Sequence, residues 1–390
     1  MRDSILSCGG KYKWREARRQ RIISSREREY QASRTMQGVA SLNLKRVDNS
    51  MHDLYPSAVS STKNGHTLCR ICGSEKIIER GTVEFYIGYA WPIYDCDDCG
   101  CRFTRHESST YDLLYSERSS CYSRYIAQSE TCKRLFDRGD LTGLKAELSQ
   151  GSKYRFIIEQ VDRESSDARI LEIGSSRGHL TSYLILAGRN VTGVDTSQKA
   201  VAEASAAFGD HFIRAGDSRI DARAPYDVIF HVGTIGCIAD PIGMTKKWLD
   251  LLKTGGRLLF NAPNRDGCSA REQMWFESAP PPDLVTLFPP GFWRNRFGDV
   301  ALVSEDIEFC SPEQNLLIAL RRLARRKWGK PVPMPLKESE RWSTPAPRFS
   351  DALWQNLERV ARKVAPWSGL LGLAPLHPSE FGLFVQMVKK

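Results

Sequence analysis

Long apolar runs are missing from this chain of 390 residues. Nothing in it approaches the roughly 18–20 consecutive apolar residues needed to cross a bilayer as a helix. The most apolar stretch, 365–376, is interrupted by prolines, a serine and glycines. A helical membrane span is therefore excluded, and the first residues also lack the apolar core of a secretory signal. Cysteine is too sparse for a disulfide scaffold, at 11 in the whole chain. No internal repeat is present, which excludes solenoids and propellers.

A basic centre is also missing. The net charge of +10 resides at the two ends. Residues 1–66 carry 13 Lys/Arg against 6 Asp/Glu, and 309–390 carry 14 against 6. The middle, 67–308, carries 29 against 34. A channel built for phosphate backbones favours the reverse arrangement, so a nucleic-acid partner is disfavoured.

What is there suffices for one large catalytic domain and a smaller module. Residues 1–66 are rich in Arg and Ser without an apolar period, which predicts a disordered basic tail. A basic helix at 11–30 would have no apolar stripe to anchor it. Either the tail belongs to the protein, or Met36 or Met51 is the true first residue. Residues 67–104 form a cysteine module, and 105–165 read as a helical connector. A catalytic domain occupies 166–308 together with 380–390, with 309–379 as a helical, proline-rich insertion.

Within the catalytic domain, strand signals at 169–173, 190–194, 212–214, 227–232 and 257–261 alternate with helix signals at 179–186, 198–208 and 241–252. Such alternation predicts a doubly wound parallel sheet of the α/β class. Further strands are expected at 300–307 and 381–388, and helices at 312–328 and 351–364. The first of those helices has Leu316, Leu317, Leu320 and Leu323 on one face and Arg321, Arg322, Arg325 and Arg326 elsewhere.

The segment LEIGSSRG at 171–178 closes the first strand and opens a helix. Gly174 permits the tight turn, and Gly178 lets the helix pack close to the strand. Such a turn alone is also found in dinucleotide enzymes. Here the middle position is Ser176, where a pyrophosphate would usually require Gly. The second strand, NVTGVD, ends in Asp195, 17 residues after Gly178 and followed by Thr196. A carboxylate there can accept both hydroxyls of a ribose. FIRAGD puts Asp217 after the third strand, where it can meet an adenine amino group, and YDVIFHVG ends the fourth strand at His231, Val232 and Gly233. LLKTGGRLLFNAPN then supplies a helix end, a Gly-Gly turn and a fifth strand.

In this order and spacing the chain resembles the class I S-adenosylmethionine-dependent methyltransferases. The matching elements are Glu172-x-Gly174-x-x-x-Gly178, acidic residues after strands two and three, and LLKxGGxLxxxxPN. The resemblance implies a Rossmann-like sheet of seven strands whose last strand, 381–388, runs antiparallel. It also implies that Glu172, Gly174, Ser175, Ser176, Gly178, Asp195, Thr196, Asp217, Val232 and Gly233 hold the cofactor.

Cys69 and Cys72 form one C-x-x-C-G knuckle and Cys96 and Cys99 another, 23 residues apart. Two knuckles supply four thiolates for a tetrahedral structural zinc, and a closed four-ligand site leaves no position for catalysis. Cys101 is a substitute for Cys99 at worse spacing, and a redox pair or ordinary buried cysteines are the alternatives. The remaining cysteines, Cys8, Cys121, Cys132, Cys237, Cys268 and Cys310, read as ordinary ones. Free thiols and a metal cluster suit a reducing cytoplasm.

A ribbon ahead of this domain resembles bacterial small-molecule methyltransferases, several acting on nucleotide-linked sugars or polysaccharide precursors. Members often carry Glu-His after strand four and Pro-Pro-His-His-Leu after strand five. Here Gly236-Cys237 and Pro280-Pro281-Pro282-Asp283-Leu284 stand in those places. His231, at the end of strand four, is the candidate base for an oxygen or carbon acceptor. Asp283, Trp275 and Trp293 are candidates for shaping the acceptor pocket, with packing as the alternative for the aromatics. The rival functions are a zinc-ribbon RNA methyltransferase, a non-catalytic cofactor-fold module and a nicotinamide oxidoreductase. The RNA reading lacks both the (N/D)PPY signature and a Pro-Cys nucleophile after strand four.

Overall fold

The computed structural model describes residues 62–63, 66–86, 89–105, 123–269, 274–276, 279–309 and 380–390. Nearly all of the basic tail, the helices expected at 312–328 and 351–364, the insertion after Phe309, and Cys8, Cys121 and Cys310 lie outside these residues.

A two-residue pair, β1 (Thr62–Lys63) and β2 (His66–Thr67), precedes the ribbon. The ribbon is β3 (Ile77–Tyr86), β4 (Tyr89–Cys96) and β5 (Arg102–Phe103). Three helices follow, α1 (Ser123–Asp137), α2 (Leu141–Ser149) and α3 (Ser152–Val161). The alternating part runs β6 (Arg169–Ile173), α4 (His179–Leu186), β7 (Asn190–Asp195), α5 (Gln198–Phe208), β8 (Phe212–Arg214), α6 (Arg219–Ala222) and β9 (Tyr226–His231). It continues through α7 (Pro241–Leu251), β10 (Leu252–Pro263), α8 (Arg265–Ser269), β11 (Thr286–Leu287), α9 (Phe292–Phe297), β12 (Ala301–Phe309) and β13 (Glu380–Lys389).

The large sheet has seven strands in the order β12-β13-β10-β9-β6-β7-β8. Strands β6 to β10 pair in parallel, and β13 enters antiparallel between β10 and β12. The expected seven strands and reversed last strand are therefore present. Local chemistry sets the element ends. Ser197 caps α5 by accepting from Ala200 N, and Asp240 caps α7 with Pro241 in its first turn.

Helices cover both faces, so the parallel strands are apolar on both sides. On one face Ile170, Val228, Phe230 and Leu259 pack among Ile157, Ile158, Leu180 and Leu184. On the other, Leu171, Ile229, Phe260 and Val385 belong to a cluster that continues into the ribbon through Ile71 and Phe103. Each fully buried side chain of that size contributes about 1.5–3 kcal/mol. The ribbon thus shares its core with the sheet. A strand from beyond β10, β11, also extends the ribbon sheet by pairing with β5. No helix among the described residues is long and apolar enough to cross a membrane.

Candidate functional site

The carboxyl ends of β6, β7, β8 and β9 converge on one edge of the sheet, where open parallel sheets hold ligands. Above β6 the chain turns through three residues of positive φ, Gly174 at 72°, Ser176 at 48° and Gly178 at 77°. A Cβ on Gly174 would stand 2.4 Å from Thr234 Oγ1, and one on Gly178 would stand 2.6 Å from Phe212 Cζ. Both glycines therefore serve close packing as well as the turn. Ser176 is the only non-glycine residue of positive φ among those described. Its unusual backbone costs on the order of 1 kcal/mol or more and turns its amide to donate to Asp195 Oδ2 at 2.8 Å. Ser197 N donates to the other oxygen, also at 2.8 Å. The Thr196 amide also bonds this carboxylate, which has the capacity to accept further hydrogen bonds. Burial raises the Asp195 carboxyl above its usual range.

Glu172 is buried inside this edge and accepts a hydrogen bond from Thr181 Oγ1. Desolvation pushes its carboxyl up to about 8. Ser175 is buried too, and its Oγ has no partner. Thr196 follows Asp195 at the end of β7 and is exposed. Gly233, φ 72°, has open space where a Cβ would stand. Its amide donates to Asn261 Oδ1 at 2.8 Å, and Val232 beside it is half-buried. Asp217 is half-buried and clamped by Arg219, whose Nη2 approaches Oδ2 at 2.8 Å. Hydrogen bonds from that guanidinium and the Arg219 amide hold the Asp217 carboxyl down at about 2.

These features meet the demands of S-adenosylmethionine. Asp195 is a carboxylate at the sheet edge, the buried Ser175 Oγ lacks a partner, and the backbone at Gly233 is open to close approach.

Three sequence expectations need correction. His231 is fully buried, stacked on Phe260 with ring centroids 4.7 Å apart and lying 4.9 Å from Trp248. Neither ring nitrogen has a partner, and burial lowers its pKa to about 3. Its ring faces the core under the sheet and exposes no atom to an acceptor. Trp293 packs within a ring of Phe260, Phe288, Phe292 and Phe297, and Trp275 is buried with its Nε1 donating to Ala279 O. Both tryptophans are core residues rather than pocket walls. Asp283 is half-buried, and its charge helps raise the thiol of Cys237, in the loop after β9.

Sequence reasoning missed Asn261, which orients Gly233. Its signal is an amide within the apolar strand LLFNAP.

At the ribbon, the sulfurs of Cys69, Cys72, Cys96 and Cys99 all lie within 4.8 Å of one another. Cys69 Sγ is 3.7 Å from Cys99 Sγ, and Cys72 Sγ is 3.6 Å from Cys96 Sγ. A tetrahedron of Zn–S bonds of about 2.3 Å has sulfurs about 3.8 Å apart, so these residues can hold structural zinc. Gly73 and Gly100 take positive φ to close the two knuckles, their amides donating to Cys69 O and Cys96 O. Cys101 is buried outside the four-sulfur group.

The first knuckle also carries Arg70. Its Nη2 donates to Ile238 O at 2.9 Å and Ala239 O at 2.8 Å, and its Nη1 to Thr104 O at 3.3 Å and Val285 O at 3.5 Å. From the second knuckle, Gly100 O accepts from Arg265 Nη1 at 2.6 Å.

A family model described as a methyltransferase domain matches residues 147–302. Ubiquinone biosynthesis O-methyltransferase of Aromatoleum aromaticum is 25% identical over 118 residues, 28% of this chain and 50% of that protein. The chain thus spans about half the length of that curated relative. Among solved structures, YcgJ from Bacillus subtilis is 14% identical with a TM-score of 0.36, covering 61% of this chain and 97% of that one. The plantazolicin methyltransferase BamL is 14% identical with a TM-score of 0.38, covering 72% and 94%.

Proposed function

We propose that this class I S-adenosylmethionine-dependent methyltransferase domain methylates a small-molecule acceptor, of the class of nucleotide-linked sugars or polysaccharide precursors. The observation that carries the methyltransferase reading is the meeting of Ser175, Ser176, Asp195 and Gly233 at the carboxyl ends of β6, β7 and β9, in a sheet whose β13 is reversed. Methyl transfer to a small molecule also suits the acidic balance of residues 67–308.

When bound, S-adenosylmethionine supplies a methyl carbon made electrophilic by its sulfonium. Displacement at that carbon demands alignment and a dry cleft more than covalent help. In this reading Asp195 accepts the ribose hydroxyls and Ser175 Oγ takes a polar group of the cofactor. Asn261 fixes Gly233 under it, and Asp217 recognises the adenine. Glu172 stays protonated at neutral pH and holds the loop from within through Thr181. Since His231 lies in the core, an acceptor hydroxyl would give its proton to water, and an unprotonated amine needs no base. The four cysteines hold zinc as thiolates, which suits the cytoplasm.

Calorimetric titration with S-adenosylmethionine tests the cofactor, with NAD as the competitor expected to have no effect. Tritium-methyl transfer into cell extracts, with and without nuclease, tests the acceptor. Label in nuclease-resistant small molecules is expected. Label in nuclease-sensitive material would replace this reading with RNA methylation.

A further inference from the structure

The methyltransferase loops nearest the ribbon are those at the carboxyl ends of β9 and β10, and each is bonded to a different zinc knuckle. The loop after β9 gives two successive carbonyls, Ile238 O and Ala239 O, to Arg70, which lies between Cys69 and Cys72. The segment after β10 gives Arg265 to Gly100 O, beside Cys99. A third strand of contacts runs between them. Gly236 O accepts from both Val285 N at 2.8 Å and Thr286 N at 3.1 Å, and Val285 O accepts from Thr104 N at 3.0 Å. Thr286 in turn opens β11, which pairs with β5 of the ribbon. Approach here is close enough that a Cβ on Gly236 would stand 2.2 Å from Leu284 Cδ1 and 2.8 Å from Pro263 Cγ.

The bonds of Arg70 are of a kind that depends on its fork. A planar guanidinium reaches carbonyls of three separate segments at once, which no other side chain does with a fixed geometry. The knuckle that aims it has little regular structure of its own, and two sulfurs held by a metal would fix its turn. Loop 233–240 also begins at Gly233, where the cofactor reading has its open backbone, and it contains Cys237, whose thiol donates to Gly233 O at 3.2 Å.

We propose that Arg70 is a positioning residue: bonded to Ile238 O and Ala239 O from inside the Cys69–Cys72 knuckle, it makes the geometry of the acceptor-side loop depend on metal in the ribbon. The zinc is then a remote brace of the acceptor site. The loop's relation to an acceptor rests on the methyltransferase reading; the bracing does not.

The test is hydrogen–deuterium exchange on the full zinc-loaded chain, with zinc content and S-adenosylmethionine affinity measured on the same samples. Arg70→Met should keep one zinc per chain and leave cofactor affinity within about twofold. Exchange in peptides covering 234–240 and 284–287 should accelerate at least tenfold, while β6 and β7 stay unchanged. Arg70→Lys, which keeps the charge and part of the bonding, should recover part of the protection. Zinc-stripped wild-type chain should show the same local acceleration, and carries the comparison alone if Arg70→Met fails to fold. Unchanged exchange at 234–240 in either the Met variant or the stripped chain would overturn the proposal. So would Arg70→Met losing zinc as completely as Cys69→Ser, since Arg70 would then serve the knuckle rather than the loop. Loss of cofactor binding by wild-type protein would instead overturn the methyltransferase reading and leave the exchange result standing.

Discussion

The ribbon and the large sheet reach order by different physical routes. The sheet buries apolar side chains on both faces and extends through seven strands. The ribbon leaves its longest strand, β3, half-exposed or exposed along its length. It relies on four thiols, on a bidentate pair between Arg102 and Asp95 at 2.6 and 2.9 Å, and on a core borrowed from its neighbour. Small modules that cannot bury enough surface need such staples. Removing a staple should therefore hurt the ribbon most, whereas the sheet should tolerate single polar changes.

The sharpest way to break this contrast is to remove the metal. Replacing Cys69 and Cys72 together with Ser should release one zinc per chain, read by elemental analysis. The ribbon should lose on the order of 5 kcal/mol or more, because metal-binding energy in such sites is folding energy. Full metal content in the double variant would end the ligand assignment.

A smaller effect is expected at the sheet edge. Asp195→Ala should weaken S-adenosylmethionine binding by about 1–3 kcal/mol, since ribose hydroxyls lose their acceptor. Titration calorimetry checks this, and unchanged affinity with an intact fold would count against the site.

Two buried titratable groups sharpen the contrast further, through pH. Glu172 has a folded pKa raised from 4.5 to about 8. Between those values the unfolded chain is ionised while the folded chain keeps its proton, so stability falls as pH rises through this window. Glu172→Gln should flatten that slope in melts. His231 has the opposite sign. Its pKa is lowered from 6.5 to about 3, so stability rises with pH across that window and the full contribution is present above 6.5. His231→Leu should flatten the acid limb and leave turnover within a few-fold. A hundredfold fall in turnover would restore His231 as a base.

Much of this architecture was legible in sequence because it is local. Strands, helix caps and the turns at Gly174 and Gly178 follow from residues a few positions apart. The helices α4 and α5 occur at the expected positions, and β10 and β12 differ from expectation only at their ends. From sequence His231 reads as a site residue rather than a core one because its strand is apolar on both sides. A strand exposed to water on one face announces its inward residues by alternation, and a doubly covered one does not. The end of β9 was therefore visible, but the direction of its last side chain was not.

The sequence by itself determined the order of elements, the tight turns that close β6 and the four-thiol set, since spacing along the chain specifies which groups a turn or knuckle presents. Only the tertiary structure decided that His231, Trp275 and Trp293 belong to the core, and that Arg70 meets carbonyls as far as 215 residues away. The reason is that a guanidinium's partners are backbone carbonyls, which every residue possesses. No side-chain pattern marks them until the fold brings them within reach.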